Sequence, residues 1–87
     1  MNSDLTRLRN DIDVIDNKIL TLIGQRIKLV KEIGALKIRL NRPVKDARRE
    51  GEIINNLIKT GKGLNVSEQV IGKIWKNLFS IAYKIEK

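Results

Sequence analysis

The 87-residue chain contains no cysteine and no histidine. Disulfides and thiolate chemistry are excluded. Most zinc sites and every histidine-based triad go with them. Any catalysis must use carboxylates, amines, guanidiniums, hydroxyls and backbone, and no metal or cofactor is expected. Aromatics are limited to one each of Trp, Tyr and Phe. A single-stranded nucleic-acid binder usually shows more stacking residues. No apolar run approaches the roughly 20 residues of a membrane span, so no membrane-spanning segment is expected. The opening stretch MNSDLTRLRND lacks the apolar region of a signal peptide. The expected compartment is the cytoplasm.

Acidic residues are the minority: 18 Lys and Arg stand against 10 Asp and Glu, a net charge of +8. That favours an anionic partner, which could be nucleic acid, an acidic membrane surface or a small polyanion. Charge alone does not choose among them. The length suits one small domain, taken as residues 1–87, that gains from a partner subunit because so short a chain buries only a modest core.

Apolar residues recur in steps of three and four from Leu5 through Leu8, Ile12, Ile15, Ile19, Leu22, Leu29, Ile33, Leu36 and Leu40. Arg26 is the one polar residue in that series. The spacing predicts a helix over about 4–40, capped by Ser3 or Asp4 and ended by NRP at 41–43, since the residue before proline resists the α conformation. Such a helix is about 55 Å long at 1.5 Å per residue. A compact chain of this length is only about 30 Å across. The helix cannot fold back into its own monomer, and an intertwined homodimer is the expectation.

The stretch PVKDARREGEIINNLIKTGKG reads as a loop and a short helix, with Asp46 as N-cap, Ile53, Ile54, Leu57 and Ile58 as its stripe, and TGKG as its stop. LNVSEQVIGKIWKNLFSIAYKIEK reads as a third helix capped by Asn65 or Ser67. Its apolar face is Ile71, Ile74, Trp75, Leu78, Phe79, Ala82 and Ile85. No strand signal is present. The fold class is all-α: one long helix and two shorter ones.

Polar groups within the apolar stripes are the functional signal. Arg26 and Lys37 are eleven residues apart, about 20° around the axis and about 16 Å along it. Both can reach one small anion. Gly34, one turn before Lys37, makes room for a ligand or a crossing helix at a helix cost of about 1 kcal/mol. Glu50 is on the buried side of the second helix and Glu86 on that of the third. Unpaired buried charge is expensive, so cations and carboxylates aimed inward from three helices suggest a polar pocket. Structural readings stand beside this one. Arg26 can set coiled-coil register, Lys37 can be a solvated edge lysine, Glu50 can serve the helix dipole, and Glu86 can fray. Gly24 reads as a helix–helix contact.

These residues resemble the all-helical chorismate mutases. The resemblance lies in LRNDIDVIDNKILTLIGQRIKLVKEIGALK, with its IDxID stretch, its Arg and the Lys eleven later, and in RPVKDARRE with its Pro, Asp and Arg-Glu pair. It implies a homodimer with two shared sites and the conversion of chorismate to prephenate, a step toward phenylalanine and tyrosine. By position it implies that Arg9 reaches into the partner's site, and that Arg26, Lys37 and Arg49 meet the substrate from their own chain. It implies that Asp46 and Glu50 hold the ring hydroxyl and that Glu86 sits beside the ether oxygen. Ala82 falls where many members carry a serine near a substrate carboxylate. Isochorismate–pyruvate lyase on the same fold, and a basic helical dimer that binds nucleic acid, are the alternatives. Intact Asp46, Arg49 and Glu50 favour the mutase, and dispersed, inward-facing cations disfavour nucleic acid.

Overall fold

Heptad-spaced leucines and isoleucines carry helix α1 unbroken through Ser3–Arg39 in the computed structural model, which describes residues 3–87. Helices α2 (Ala47–Leu64) and α3 (Glu68–Glu86) follow, and there is no strand among the described residues. The class is all-α, as expected. Residues 1 and 2 of the expected domain lie outside the described residues. Ser3 is already helical, so neither Ser3 nor Asp4 is the cap. Asp4 instead sits in the first turn, where its charge meets the positive end of the helix dipole.

α1 ends by a different device from the proline effect. Asn41 takes the left-handed conformation (φ 54°). Its N–H donates to the Ile38 carbonyl at 3.1 Å, and the Arg42 N–H donates to the Lys37 carbonyl at 2.8 Å. These paired bonds satisfy carbonyls that the last turn would otherwise leave open.

The expected stop at TGKG is also corrected. α2 runs through Thr60, Gly61, Lys62 and Gly63 to Leu64, and ends where Asn65 turns left-handed (φ 57°). A single glycine costs a helix only about 1 kcal/mol, too little to stop one that packs against a neighbour. Gly61 is needed for that packing. A Cβ there would meet Ile71 Cδ1 at 2.8 Å and the Val66 carbonyl oxygen at 2.9 Å. Asn65 therefore closes α2, and Ser67 caps α3 by accepting the Val70 N–H at 3.2 Å.

α3 packs against both α1 and α2, which do not pack against each other. Val30, Ile71 and Ala82 form the small core, joined by Gly34 and Gly61. Of the predicted α3 face, only Ile74 is exposed in this chain. The whole apolar heptad series of α1 is exposed, with Leu8 at 51%, Ile12 at 56% and Leu22 at 61%. α1 meets α3 through another face, marked by the buried Val30 and Gly34. Gly24 faces open space within the chain. The molecule measures 59 × 24 × 16 Å, and its long dimension matches the ~55 Å expected of α1 alone. No helix among the described residues is long and apolar enough to cross a membrane.

Candidate active site

Gly34 sets the geometry of the site. A Cβ at this position would stand 3.0 Å from Glu86 Cα and 3.3 Å from its Cβ and Cγ. The missing side chain lets α3 cross α1 closely enough to bring Glu86 to Lys37. Lys37 Nζ lies 2.7 Å from Glu86 Oε1, with the two side chains 17% and 4% exposed. Oε1 is buried yet has no well-aligned hydrogen bond. The pair is therefore held by charge at short range rather than by a directed N–H···O contact. Breaking such a pair on one side would leave an uncompensated buried charge.

Lys37 also fixes the loop into α2. Its Nζ donates to the Val44 carbonyl at 2.6 Å, while its own carbonyl accepts the Arg42 N–H. An ammonium has three donors. The Val44 carbonyl engages one and the Glu86 carboxylate stands against the ammonium at 2.7 Å, so a donor remains for a ligand.

The loop delivers Asp46 as the N-cap of α2, its Oδ1 accepting the Arg49 N–H at 3.0 Å. The expected cap is therefore present, and Glu50 follows in the first turn. Glu50 Oε2 accepts a 2.7 Å hydrogen bond from the Tyr83 hydroxyl, which in turn accepts the Asp46 backbone N–H at 3.3 Å. Burial first, and then the hydrogen bond to the Glu50 carboxylate, push the Tyr83 phenol above its ordinary pKa. The hydroxyl thus stays protonated and able to donate.

These groups surround one cavity of about 390 Å³. Its polar lining is Arg26 and Lys37 from α1, Asp46, Arg49 and Glu50 from the start of α2, and Tyr83 and Glu86 from α3. Leu29, Val30, Ile33, Ile53, Phe79 and Ala82 supply the apolar wall. Among the described residues Arg26 has no carboxylate within ion-pair distance, so the cavity contains an unneutralised cation. Arg49 makes only a long, exposed contact to Glu52 at 3.5 Å, of the kind that contributes little. Among the described residues no grouping of acidic side chains could hold a metal ion.

Seven of the eight residues singled out in the sequence thus meet at one cavity: Arg26, Lys37, Asp46, Arg49, Glu50, Ala82 and Glu86. Arg9 does not. It precedes Arg26 by 17 positions, about 25 Å along the straight helix. Tyr83 was missed by the sequence reading. It follows Ala82 and lies one turn before Glu86, so helical spacing alone puts it beside a suspected site residue. The Val44 carbonyl carries no sequence signal.

Three cations and three carboxylates, drawn from three helices, thus line one half-apolar cavity within the bundle. The model of the chorismate mutase type II family matches residues 8–87. A chorismate mutase from Methanocaldococcus jannaschii is 37% identical over all of this chain and 88% of its own length. The chain belongs to the chorismate mutase type II family. A bifunctional chorismate mutase/prephenate dehydratase from Aquifex aeolicus is 33% identical over 97% of this chain, which spans only 24% of that relative. For the Enterobacter agglomerans protein of the same description the identity is 36%, and the spans are 87% and 20%. A conserved hypothetical protein from Pyrococcus furiosus has a solved structure that superposes with a TM-score of 0.80, at 25% identity, over all of both chains.

Proposed function

We propose that residues 1–87 form a single domain that rearranges chorismate to prephenate, in the cytoplasm, in the biosynthesis of phenylalanine and tyrosine. The observation that carries this reading is the convergence of Arg26, Lys37 and Arg49 with Asp46, Glu50 and Glu86 at one cavity. Chorismate is a small dicarboxylate with a ring hydroxyl and an enolpyruvyl ether. Its rearrangement breaks one C–O bond and forms one C–C bond within the molecule, with no proton transferred. The protein must hold a reactive, chair-like conformer and stabilise charge that develops on the ether oxygen.

Arg26 and Arg49 suit the two carboxylates, which guanidinium groups grip through paired hydrogen bonds. Asp46 and Glu50 suit the ring hydroxyl, since ionised carboxylates accept its proton in a hydrogen bond. Lys37, with a donor uncommitted, suits the ether oxygen. Glu86 can reach the same oxygen as a donor only when protonated. Ala82 offers no side-chain contact to a carboxylate, so that role falls to the arginines and backbone.

The reading includes a homodimer. The exposed heptad series on α1 is a continuous apolar seam, larger than monomeric proteins usually leave in water. A second copy running antiparallel would cover it, and would bring Arg9 to the partner's cavity. Arg9 has no carboxylate within ion-pair distance among the described residues, which supports its use on a ligand.

The test is direct. Purified protein is mixed with chorismate, loss of its absorbance is followed, and the product is identified. Prephenate is expected. No turnover of chorismate, or release of pyruvate from isochorismate instead, would overturn the assignment.

A further inference from the structure

Tyr83 stands at the wall of the cavity but has no part in the chemistry described above. Its hydroxyl nevertheless joins the end of α3 to both residues assigned to the substrate's ring hydroxyl. It donates to Glu50 Oε2 at 2.7 Å and accepts from the Asp46 backbone at 3.3 Å. Asp46 spends Oδ1 on capping α2. Glu50 spends Oε2 on the tyrosine. Each carboxylate is left with one oxygen uncommitted by these bonds. A lone glutamate in the first turn of a helix samples several rotamers, and ordering it costs free energy at the moment of binding. The phenol removes that cost in advance.

We propose that Tyr83 is a positioning residue, one whose hydroxyl presets the Glu50 carboxylate and the first turn of α2 to receive the ring hydroxyl of the substrate. The inference rests on the chorismate reading of the cavity and deepens it. Burial and the Glu50 bond keep the phenol protonated, so the link persists through the neutral range. The ring hydroxyl is not among the atoms whose bonds change. A contact to it is made about equally in the ground state and the transition state, and its loss shows in KM rather than in kcat.

Tyr83→Phe keeps the ring and removes the hydroxyl. We expect KM for chorismate to rise about tenfold with kcat within about twofold of wild type. In a Glu50→Ala background the same substitution should add no further loss, because Tyr83 acts through Glu50. Circular dichroism melting of each variant separates this from unfolding. Tyr83 is the chain's sole tyrosine, so phenolate absorbance near 295 nm reports it alone. Its midpoint should fall in Glu50→Gln, where no carboxylate accepts the bond. Unchanged KM in Tyr83→Phe, penalties that simply add to those of Glu50→Ala, or a phenol indifferent to Glu50→Gln would each overturn the inference. If wild type itself fails to convert chorismate, the functional reading falls first; active wild type with an indifferent Tyr83→Phe leaves that reading standing and removes only this one.

Discussion

Glu86 presents the sharpest problem of a single side chain. Buried against Lys37 at 2.7 Å, it is placed to neutralise the ammonium when ionised, yet it can donate toward an ether oxygen only when protonated. Glu86→Gln separates the two roles, because an amide always retains a donor. That variant should keep substantial activity. Glu86→Ala should lose about a hundredfold in kcat, the usual worth of one preorganised donor. Steady-state kinetics of the three proteins check this, and a Glu86→Ala variant with the kcat of Glu86→Gln would remove the donor role. Much of the residue-level picture was legible beforehand, since Arg26, Lys37, Glu50 and Glu86 are charges at positions where the helical period wants apolar groups. Tyr83 was hidden because a tyrosine on a mostly apolar face fits that period without strain. Its hydroxyl has meaning only once α2 and α3 are set side by side.

Helix periodicity gave the three elements, but not which face of α1 meets α3. The heptad series from Leu5 to Leu40 is the most regular pattern in the chain, and in this chain it is exposed. The contact with α3 runs instead through Val30 and Gly34. α1 is apolar on two faces over its second half, and no single-period reading separates a face for its own chain from a face for another. The glycines misled in the opposite direction. Those of TGKG resemble a stop, although Gly61 is there for close approach, a property that depends on where Val66 and Ile71 lie. Gly34→Ala tests the crossing of α1 and α3. The added methyl favours the helix by about 1 kcal/mol, but it must displace Glu86 Cα, a backbone atom only 3.0 Å away, and overpacking of this kind costs about 1–3 kcal/mol. The expected outcome is a protein of equal or lower stability in denaturant melts. Its kcat should fall more than tenfold, since a shift of about 1 Å in a catalytic group can cost a hundredfold. A variant with wild-type kcat would show that the close crossing does not position Glu86.

For the whole molecule, the long open seam makes association the first expectation: sedimentation equilibrium should find two chains at micromolar concentration. Sharing of sites has its own test. Arg9→Ala and Lys37→Ala should each be inactive alone. Mixed, they form hybrid dimers in which one site carries both defects and the other neither, so about a quarter of wild-type activity should return under random pairing of a two-fold assembly. No recovery after verified subunit exchange would place Arg9 outside the site. A last consequence comes from the missing contact between α1 and α2, which meet only through α3 and the loop held by Lys37. An anion seated between Arg26 and Arg49 would act as core material, bracing two helices whose backbones do not pack against each other. Calorimetry should therefore register it as a structural brace. A non-reacting, chorismate-shaped dicarboxylate at a hundred times its Kd should stabilise the fold by about 2.7 kcal/mol, roughly fifteen degrees in Tm for a chain of this size. Acetate at equal charge concentration should leave the melt where it was, because one carboxylate cannot span the gap.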